Sequence, residues 1–215
     1  MEKILDYQHK KRILARIIAH LMGDGCVTKR YFTFTNKNKF LLDSYERDIK
    51  KLFKDIHIIK GKYNSGTSLL QVQNKPILLF LKSLIKSFKS HDLEVPNFID
   101  SIKLKSEFIR ALYDDEGCVA LRPFRRTKEI KRNLNLSSNS LKFLQQIQSI
   151  FKKDFNIKTN KILEYNKKIQ NKIYTNYVMS ITGKENFVKF REKIGFSHPT
   201  KKQMLDLMIA SYIRK

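Results

Sequence analysis

Two short segments of the chain place acids where an apolar helical pattern ends. Asp24 lies in IIAHLMGDGCV, residues 17–27, and Glu116 lies in IRALYDDEGCV, residues 109–119. The helix dipole disfavours an acid at a C-terminal end by roughly 0.3–1 kcal/mol. Clustered carboxylates in such a place need a cation, and their hard oxygen atoms suit Mg²⁺. The residue types therefore predict paired acids that hold a divalent metal, which can activate water for attack on a phosphodiester.

The two acidic segments belong to a repeat that spans the chain. They align without a gap at a constant offset of 92 residues, and the same pattern follows each copy. Each half is predicted to contain a helix, two strands, a helix, two strands and a helix, because apolar residues switch between periods of about 3.6 and 2. The predicted subdomains are residues 1–97 and 98–215. A single Asp-Gly is usually a helix stop with a left-handed glycine, but two matched copies favour a site.

The composition points to a polyanionic partner. Lys and Arg number 44 against 20 Asp and Glu, which gives a net charge of +24. Such an excess favours nucleic acid, because each neutralised phosphate releases a counterion. The sequence contains no run of 18 apolar residues, so we predict no membrane span, and we recognise no signal peptide. We predict a cytoplasmic protein of an archaeal or bacterial cell, with organelle encoding left open, in which Cys26 and Cys118 are buried, reduced thiols.

Small residues predict that the two acidic helices pack side by side. Ala15, Ala19 and Gly23 recur every four residues on the first helix, and Ala111 is a small residue on the second. Small residues at this spacing allow two helices to approach closely. Side-by-side packing would bring Asp24 together with Glu116.

The paired motifs Gly-Asp-Gly and Asp-Asp-Glu-Gly, with IGFSHPTKK near the end, resemble the LAGLIDADG homing endonucleases, particularly the monomeric archaeal type with two motifs in one chain. The resemblance implies an α+β fold, a pseudo-twofold pair of αββαββα subdomains whose two antiparallel sheets form a DNA-binding saddle. It also implies a monomeric enzyme without an obligate protein partner, which cuts double-stranded DNA at a long, nearly asymmetric site. The implied cofactor is Mg²⁺, with Mn²⁺ or Ca²⁺ able to substitute for binding.

The resemblance assigns roles to individual residues. Asp24 and Glu116 take the position of the catalytic, metal-binding acids, and Gly23 and Asp115 could offer backbone carbonyl groups to the metal. Lys201 resembles the lysine that polarises the scissile phosphate, although an ordinary lysine at a helix start is an equal interpretation.

Three residues depart from the family pattern. Met22 replaces an earlier acid, as in archaeal members, while His20 stands where an apolar residue is usual and Asp115 where a small one is usual. The Asp115 carboxylate could bind metal or water, or it could hinder close helix packing. Lys202 is the alternative to Lys201 as the catalytic lysine.

Alternation along the predicted strands separates an apolar face from a polar face that should meet DNA. Asn and Gln can bridge adenine edges, and Thr can contact the thymine methyl group. A solvated sheet face is the alternative interpretation, and basic residues in the adjacent turns favour DNA. The predicted contacts are Tyr31, Thr33, Thr35, Gln71, Gln73, Arg122, Arg125, Arg126, Arg132, Asn133, Asn135, Ser137, Asn176 and Ser180.

Three alternatives to a nuclease remain. The scaffold could be a cleavage-deficient DNA-binding protein, or an RNA intron maturase. On charge alone the chain could also be a basic ribosome-associated protein. Because no Cys or Ser begins the chain and no His-Asn ends it, we expect a free-standing enzyme of intron homing rather than an intein.

Overall fold

The structure, a computed structural model, describes residues 2–123, 130–170 and 172–212. Contacts divide the chain into two compact units. The first unit comprises Met1–Phe88 and Val95–Asp115, and the second comprises Lys89–Glu94 and Glu116–Lys215. Among the described residues, no helix combines the length and the apolar character that a membrane crossing requires.

The first unit contains four strands and four helices. The strands form one antiparallel sheet in the order β1-β2-β4-β3. In chain order the elements are α1 (Glu2–Met22), β1 (Gly25–Val27), β2 (Phe32–Asn36), α2 (Lys39–Leu52), β3 (Ile59–Lys62), β4 (Ser68–Val72), α3 (Lys75–Ser83) and α4 (Ile102–Glu116), whose final residue is the first of the second unit.

From α4 onward the chain repeats the order that begins with α1. The sheet of the second unit is antiparallel with the strand order β5-β6-β8-β7, so both halves share one topology. The elements are β5 (Gly117–Pro123), β6 (Ile130–Ser138), α5 (Leu141–Ile150), β7 (Leu163–Ile169), β8 (Lys172–Ile181), α6 (Lys184–Lys193) and α7 (Pro199–Ala210). A π-helix, Phe151–Phe155, extends α5 and ends at Asn156 in the left-handed region with φ 53°. The predicted α+β fold of repeated αββαββα order is confirmed.

Each sheet packs one apolar face against helices. In the first unit Phe32 and Phe34 are fully buried, and the Phe34 ring lies 4.6 Å from the ring of Tyr45 on α2. In the second unit Leu134 and Leu136 of β6 are fully buried as well. Burying one such side chain contributes about 1.5–3 kcal/mol, so alternation along the strands fixes which face meets the helices.

Side-chain caps fix where the helices begin. The side-chain oxygen of Asn74 accepts a hydrogen bond from the backbone N–H of Ile77, and Pro76 occupies the first turn of α3. Ser140 caps α5 in the same way, since its hydroxyl accepts from the N–H of Phe143 at 3.3 Å. Such caps satisfy amide groups that a helix start leaves without partners.

An ion-pair network explains why α4 joins the first unit, although the sequence repeat assigns it to the second half. The Arg16 guanidinium donates two hydrogen bonds of 2.7 Å to Asp48 on α2 and one of 3.0 Å to Glu107 on α4. These contacts tie α1, α2 and α4 together. The subdomain boundary between residues 97 and 98 describes sequence symmetry and stays a prediction.

Gly25 is required by a close backbone approach, and its φ is not among the positive values of the described glycines. A Cβ atom on Gly25 would lie 2.4 Å from the Cα of Leu21 and 2.6 Å from the Leu21 carbonyl oxygen. The left-handed stop that a lone Asp-Gly suggests is therefore absent here. The chain leaves α1 so tightly that no side chain fits.

We predict that Gly25→Ala lowers the free energy of unfolding by about 1–3 kcal/mol or more, because the added methyl group meets backbone atoms that cannot move independently. Urea unfolding followed by circular dichroism measures the change. Gly61→Ala is the matched control, since its Cβ would lie 3.4 Å from the end of the Leu69 side chain. An equal loss in both variants would contradict the explanation.

Candidate functional site

Asp24 lies between the end of α1 and the start of β1, and strand β2 holds it. The amide of Asn36 donates a hydrogen bond of 2.8 Å to its Oδ2 atom. The Asp24 carbonyl oxygen accepts from the Thr35 hydroxyl at 3.0 Å and from the Thr35 N–H at 3.3 Å. The side chain is partly exposed. A carboxylate in this position is oriented by the sheet and still accessible from solvent.

Glu116 is the last residue of α4, and it is exposed. It directly follows Asp115, just as Asp24 directly follows Gly23. A Cβ atom on Gly23 would lie 2.9 Å from the Cβ of Asp115, so these two residues of the first unit are in close contact. The joint metal site of Asp24 and Glu116 stays a prediction.

The Asp115 carboxylate binds His20. Its Oδ2 atom lies 2.8 Å from Nδ1 of His20, and the side chains of His20 and Asp115 are 5% and 0% exposed. Two of the three residues that depart from the family pattern, His20 and Asp115, therefore contact each other across α1 and α4. The sequence identified each residue as unusual and missed the pairing.

Aromatic rings and acids surround the imidazole of His20. The ring centroids of Phe34 and Tyr45 lie 4.9 and 5.8 Å from it. Burial lowers the pKa of His20, but the charge and hydrogen bond of Asp115, with the more distant Asp114 and Asp48, outweigh it and raise the pKa above its ordinary value. Burial and the negative charges of Asp115 and Asp48 raise the pKa of Tyr45.

Lys201 lies in the first turn of α7. The helix begins with His198 as its N-cap, whose Nδ1 accepts a hydrogen bond of 3.4 Å from the Lys201 N–H, followed by Pro199. Lys201 is half-buried and the alternative, Lys202, is exposed. The role of either lysine at a phosphate stays a prediction.

The open face of the first sheet carries most of its predicted contacts. Thr33 stands between Cys26 and Gln71 on the neighbouring strands, on the face opposite Phe32 and Phe34. Thr33 is only 6% exposed. Thr35 shares this face and is half-buried, Tyr31 precedes β2, and Gln73 is exposed after β4.

The open face of the second sheet is also polar. Asn135 lies between Cys118 and Ser180, and the Ser180 hydroxyl donates to Asn135 at 2.8 Å. The alternation of the strands places Asn133, Ser137 and Asn176 on the same side. The sequence interpretation missed three exposed side chains of this face, which are Leu163, Tyr165 and Tyr174. The pairing of β7 with β8 places these side chains on the open face, which their residue types alone do not indicate.

Arg132 differs from its prediction as a DNA contact. It alternates with Asn133 and shares the face of Leu134, where its guanidinium donates to the hydroxyl and carbonyl oxygens of Ser211 at 2.7 and 2.9 Å. It also lies 4.3 Å from the Tyr212 ring centroid. Arg122 is exposed on the open face, whereas Arg125 and Arg126 lie outside the described residues.

The prediction of buried cysteines is wrong. Cys26 and Cys118 are free thiols and both are exposed. Each directly follows the motif glycine, and alternation from that glycine points the thiol to the open face beside Thr33 or Asn135.

The acids of the motifs are compatible with a metal ion whose remaining ligands are water molecules and phosphate oxygens. Among the residues that the structure describes, no group of three or more His, Cys, Asp or Glu is placed to hold a metal ion. Mg²⁺ commonly uses one or two carboxylates together with water molecules and phosphate oxygens. Asp24 and Glu116, each taken alone, offer accessible carboxylate oxygens of the type that such an ion uses.

Comparison with known proteins identifies the class. The family model of the LAGLIDADG-like domain matches residues 103–195. The match agrees with the predicted family over this segment, and the two halves of the chain have the two-subdomain LAGLIDADG fold.

Solved structures share this fold at low sequence identity. The homing endonuclease I-DmoI, in complex with DNA and Ca, has a TM-score of 0.62 at 15% identity, over 92% of this chain and 98% of that chain. Full-length DUF199/WhiA from Thermatoga maritima has a TM-score of 0.59 at 14% identity, over 94% of this chain and 61% of that chain. I-DmoI has also been solved with DNA and Mn.

One curated relative is the tRNA-splicing ligase RtcB of Methanopyrus kandleri, 23% identical over 228 residues. The match covers 94% of this chain, which spans 22% of the length of that relative.

We predict that Arg132→Ala lowers the free energy of unfolding by about 1–2 kcal/mol, through the loss of hydrogen bonds and the contact with Tyr212. Thermal unfolding measures the loss. Arg122→Ala is the matched control, and it should leave stability within about 0.5 kcal/mol of the original protein. Equal stability of the two variants would contradict the assignment of Arg132 to the end of α7.

Proposed function

We propose that the chain is a site-specific endonuclease that hydrolyses double-stranded DNA with Mg²⁺. The observation that carries the proposal is the repeated acid at the C-terminal end of each motif helix: Asp24 lies two residues after the end of α1, and Glu116 is the last residue of α4. Each acid directly precedes a strand of a sheet whose open face is polar. The fold likeness to I-DmoI, a homing endonuclease solved with DNA and with divalent metals, supports the proposal.

In the proposed mechanism, Asp24 and Glu116 hold the divalent metal, with carbonyl oxygens of Gly23 and Asp115 as further donors. The metal supplies a Lewis acid that lowers the pKa of bound water and stabilises charge on phosphate oxygens. Asn36 fixes the orientation of the Asp24 carboxylate. Lys201 is the proposed cation at the scissile phosphate.

The proposed DNA contacts lie on the open faces of the two sheets. Neutral amides and hydroxyls such as Gln71, Asn133 and Asn135 are suited to base edges, while Arg122 and neighbouring lysines are suited to phosphates. The surplus of 24 positive charges favours association with a polyanion and makes affinity fall with salt. In this proposal the neutral amides and hydroxyls recognise the DNA sequence, and the cationic side chains hold the DNA by its phosphates.

A DNA-binding protein without cleavage is the second candidate. The fold of this chain is nearly as similar to DUF199/WhiA, which is not named as an endonuclease, as it is to the homing endonuclease I-DmoI. The fold alone therefore does not distinguish a nuclease from a DNA-binding protein that does not cleave. Selection of cleavable sites from a library of randomised duplexes, with Mg²⁺ and with EDTA in parallel, separates them. Cut duplexes only with Mg²⁺ support the nuclease, and bound but uncut duplexes support the second candidate.

We predict that Asp24→Asn and Glu116→Gln each lower the single-turnover cleavage rate at least about 100-fold, because metal-assisted stabilisation contributes several kcal/mol and each 1.4 kcal/mol is tenfold. DNA affinity in Ca²⁺ should stay within about threefold, since positioning contacts to phosphates lie elsewhere. Asp43→Asn, a change to an exposed acid of α2, is the control. Full activity of both site variants would overturn the assignment.

We also predict that a selected duplex slows alkylation of Cys26 and Cys118 by iodoacetamide at least about tenfold, because both thiols lie on the proposed DNA-binding faces, which bound DNA covers. Mass spectrometry of the labelled peptides measures both rates. A thiol introduced by Lys51→Cys on α2, whose other face packs against the sheet, provides the control and should react at the same rate with and without DNA. Unchanged labelling of both native thiols would exclude these faces as the interface.

A further inference from the structure

The pair of His20 and Asp115 is a buried polar contact within the first unit. The atoms Nδ1 of His20 and Oδ2 of Asp115 are 2.8 Å apart, and neither side chain is more than 5% exposed. Burying such groups is costly unless they bind each other in good geometry, and removal of one partner leaves the other desolvated. Each residue therefore accounts for the presence of the other.

The sequence repeat shows that this contact exists on only one side of the motif pair. At the offset of 92 residues, His20 corresponds to Leu112 and Asp115 corresponds to Gly23. One repeat thus supplies a histidine where the other supplies a leucine, and an acid replaces a glycine. The contact is therefore an asymmetry between the two aligned segments.

Asp115 fits because Gly23 has no side chain. A Cβ atom on Gly23 would lie 2.9 Å from the Cβ and 3.0 Å from the Oδ2 of Asp115. The space between the two backbones holds one side chain, and that side chain is held at its far end by His20. The rings of Phe34 and Tyr45 hold the imidazole in turn.

We propose that His20 and Asp115 are positioning residues, whose hydrogen bond holds the end of α4 against the end of α1 and thereby fixes the peptides that lead into Asp24 and Glu116. The proposal rests on the proposed nuclease function. Asp24 is four residues after His20 and Glu116 is the residue after Asp115, so a shift of either helix end moves an acid. On this account the Asp115 carboxylate serves His20 and is not a metal ligand.

The test compares four variants of the full chain. His20→Leu and Asp115→Ala each remove one partner, and the double variant carries the apolar and small residues that the other repeat uses. Alanine replaces glycine here because glycine lowers helix stability. Asp115→Asn keeps the shape of the side chain and an oxygen that accepts from His20.

We expect each single removal to lower the maximal cleavage rate of a selected duplex by about 10–100-fold, the usual effect of losing a residue that orients metal ligands. The double variant should recover to within about fivefold, and Asp115→Asn to within about tenfold, of the original rate. The Mg²⁺ concentration for half-maximal rate should rise in the single variants. DNA affinity in Ca²⁺ should stay within about threefold, a result that general unfolding would not give.

Thermal unfolding of the same proteins gives a readout that is independent of cleavage. The midpoints should show coupling, with the double variant more stable than the sum of the single losses predicts. Independent, additive losses in both rate and midpoint would overturn the proposal. Loss of activity in Asp115→Asn equal to that in Asp24→Asn, without recovery in the double variant, would make Asp115 a ligand and would overturn it as well.

The outcome for the original protein separates this proposal from the proposed function. If the original protein cuts no duplex with Mg²⁺, the nuclease function fails and the positioning role fails with it. If it cuts and the variants cut equally well, only the role of His20 and Asp115 fails.

Discussion

The tight exit of the chain from the motif helix is the constraint on which the rest of the first unit depends. Gly25 has no room for a side chain against the Leu21 backbone, and Gly23 has none against Asp115. Because the chain turns at once into β1, Asp24 stands between helix and sheet, where Thr35 and Asn36 bind it. The position of the acid is therefore set by backbone geometry that only glycine permits, together with two hydrogen-bonding side chains of strand β2.

The sequence was sufficient to predict the order of helices and strands, but it was insufficient to predict on which face of a sheet some residues lie. Alternating Phe32 and Phe34, the cap at Ser140 and the turn at Gly66 are local signals of the sequence, and the structure has a strand, a helix start and a turn at these positions. The cysteines were predicted to be buried from their small number, and Arg132 was assigned to DNA as a basic residue of a hairpin, so neither prediction used the strand register that decides which face a side chain occupies. Register in β5 and β6 follows from pairing across the sheet, which periodicity alone does not specify.

The candidate site shows the same limit at longer range. The repeat identified Asp24 and Glu116, and comparison with the family pattern marked His20 and Asp115 as unusual. Their contact joins residues separated by 95 positions, and no local pattern encodes it. Two unusual residues of complementary chemistry within paired motifs were a usable signal, since a histidine and an acid in buried positions each require a partner. A pairing hypothesis could have been drawn from the sequence on that ground.

The positions of the acids also make the surface of the protein more positively charged. Acidic residues are fewer than half as numerous as basic ones, and several of them lie inside the first unit: Asp48 and Glu107 bind Arg16, and Asp115 binds His20. Acids used for internal pairs do not offset lysines and arginines on the surface. The exterior is therefore more basic than an even distribution of the same residues would make it, and such a field favours encounter with a polyanion. Internal pairing thus contributes to the proposed association with DNA, in addition to holding the helices of the first unit together.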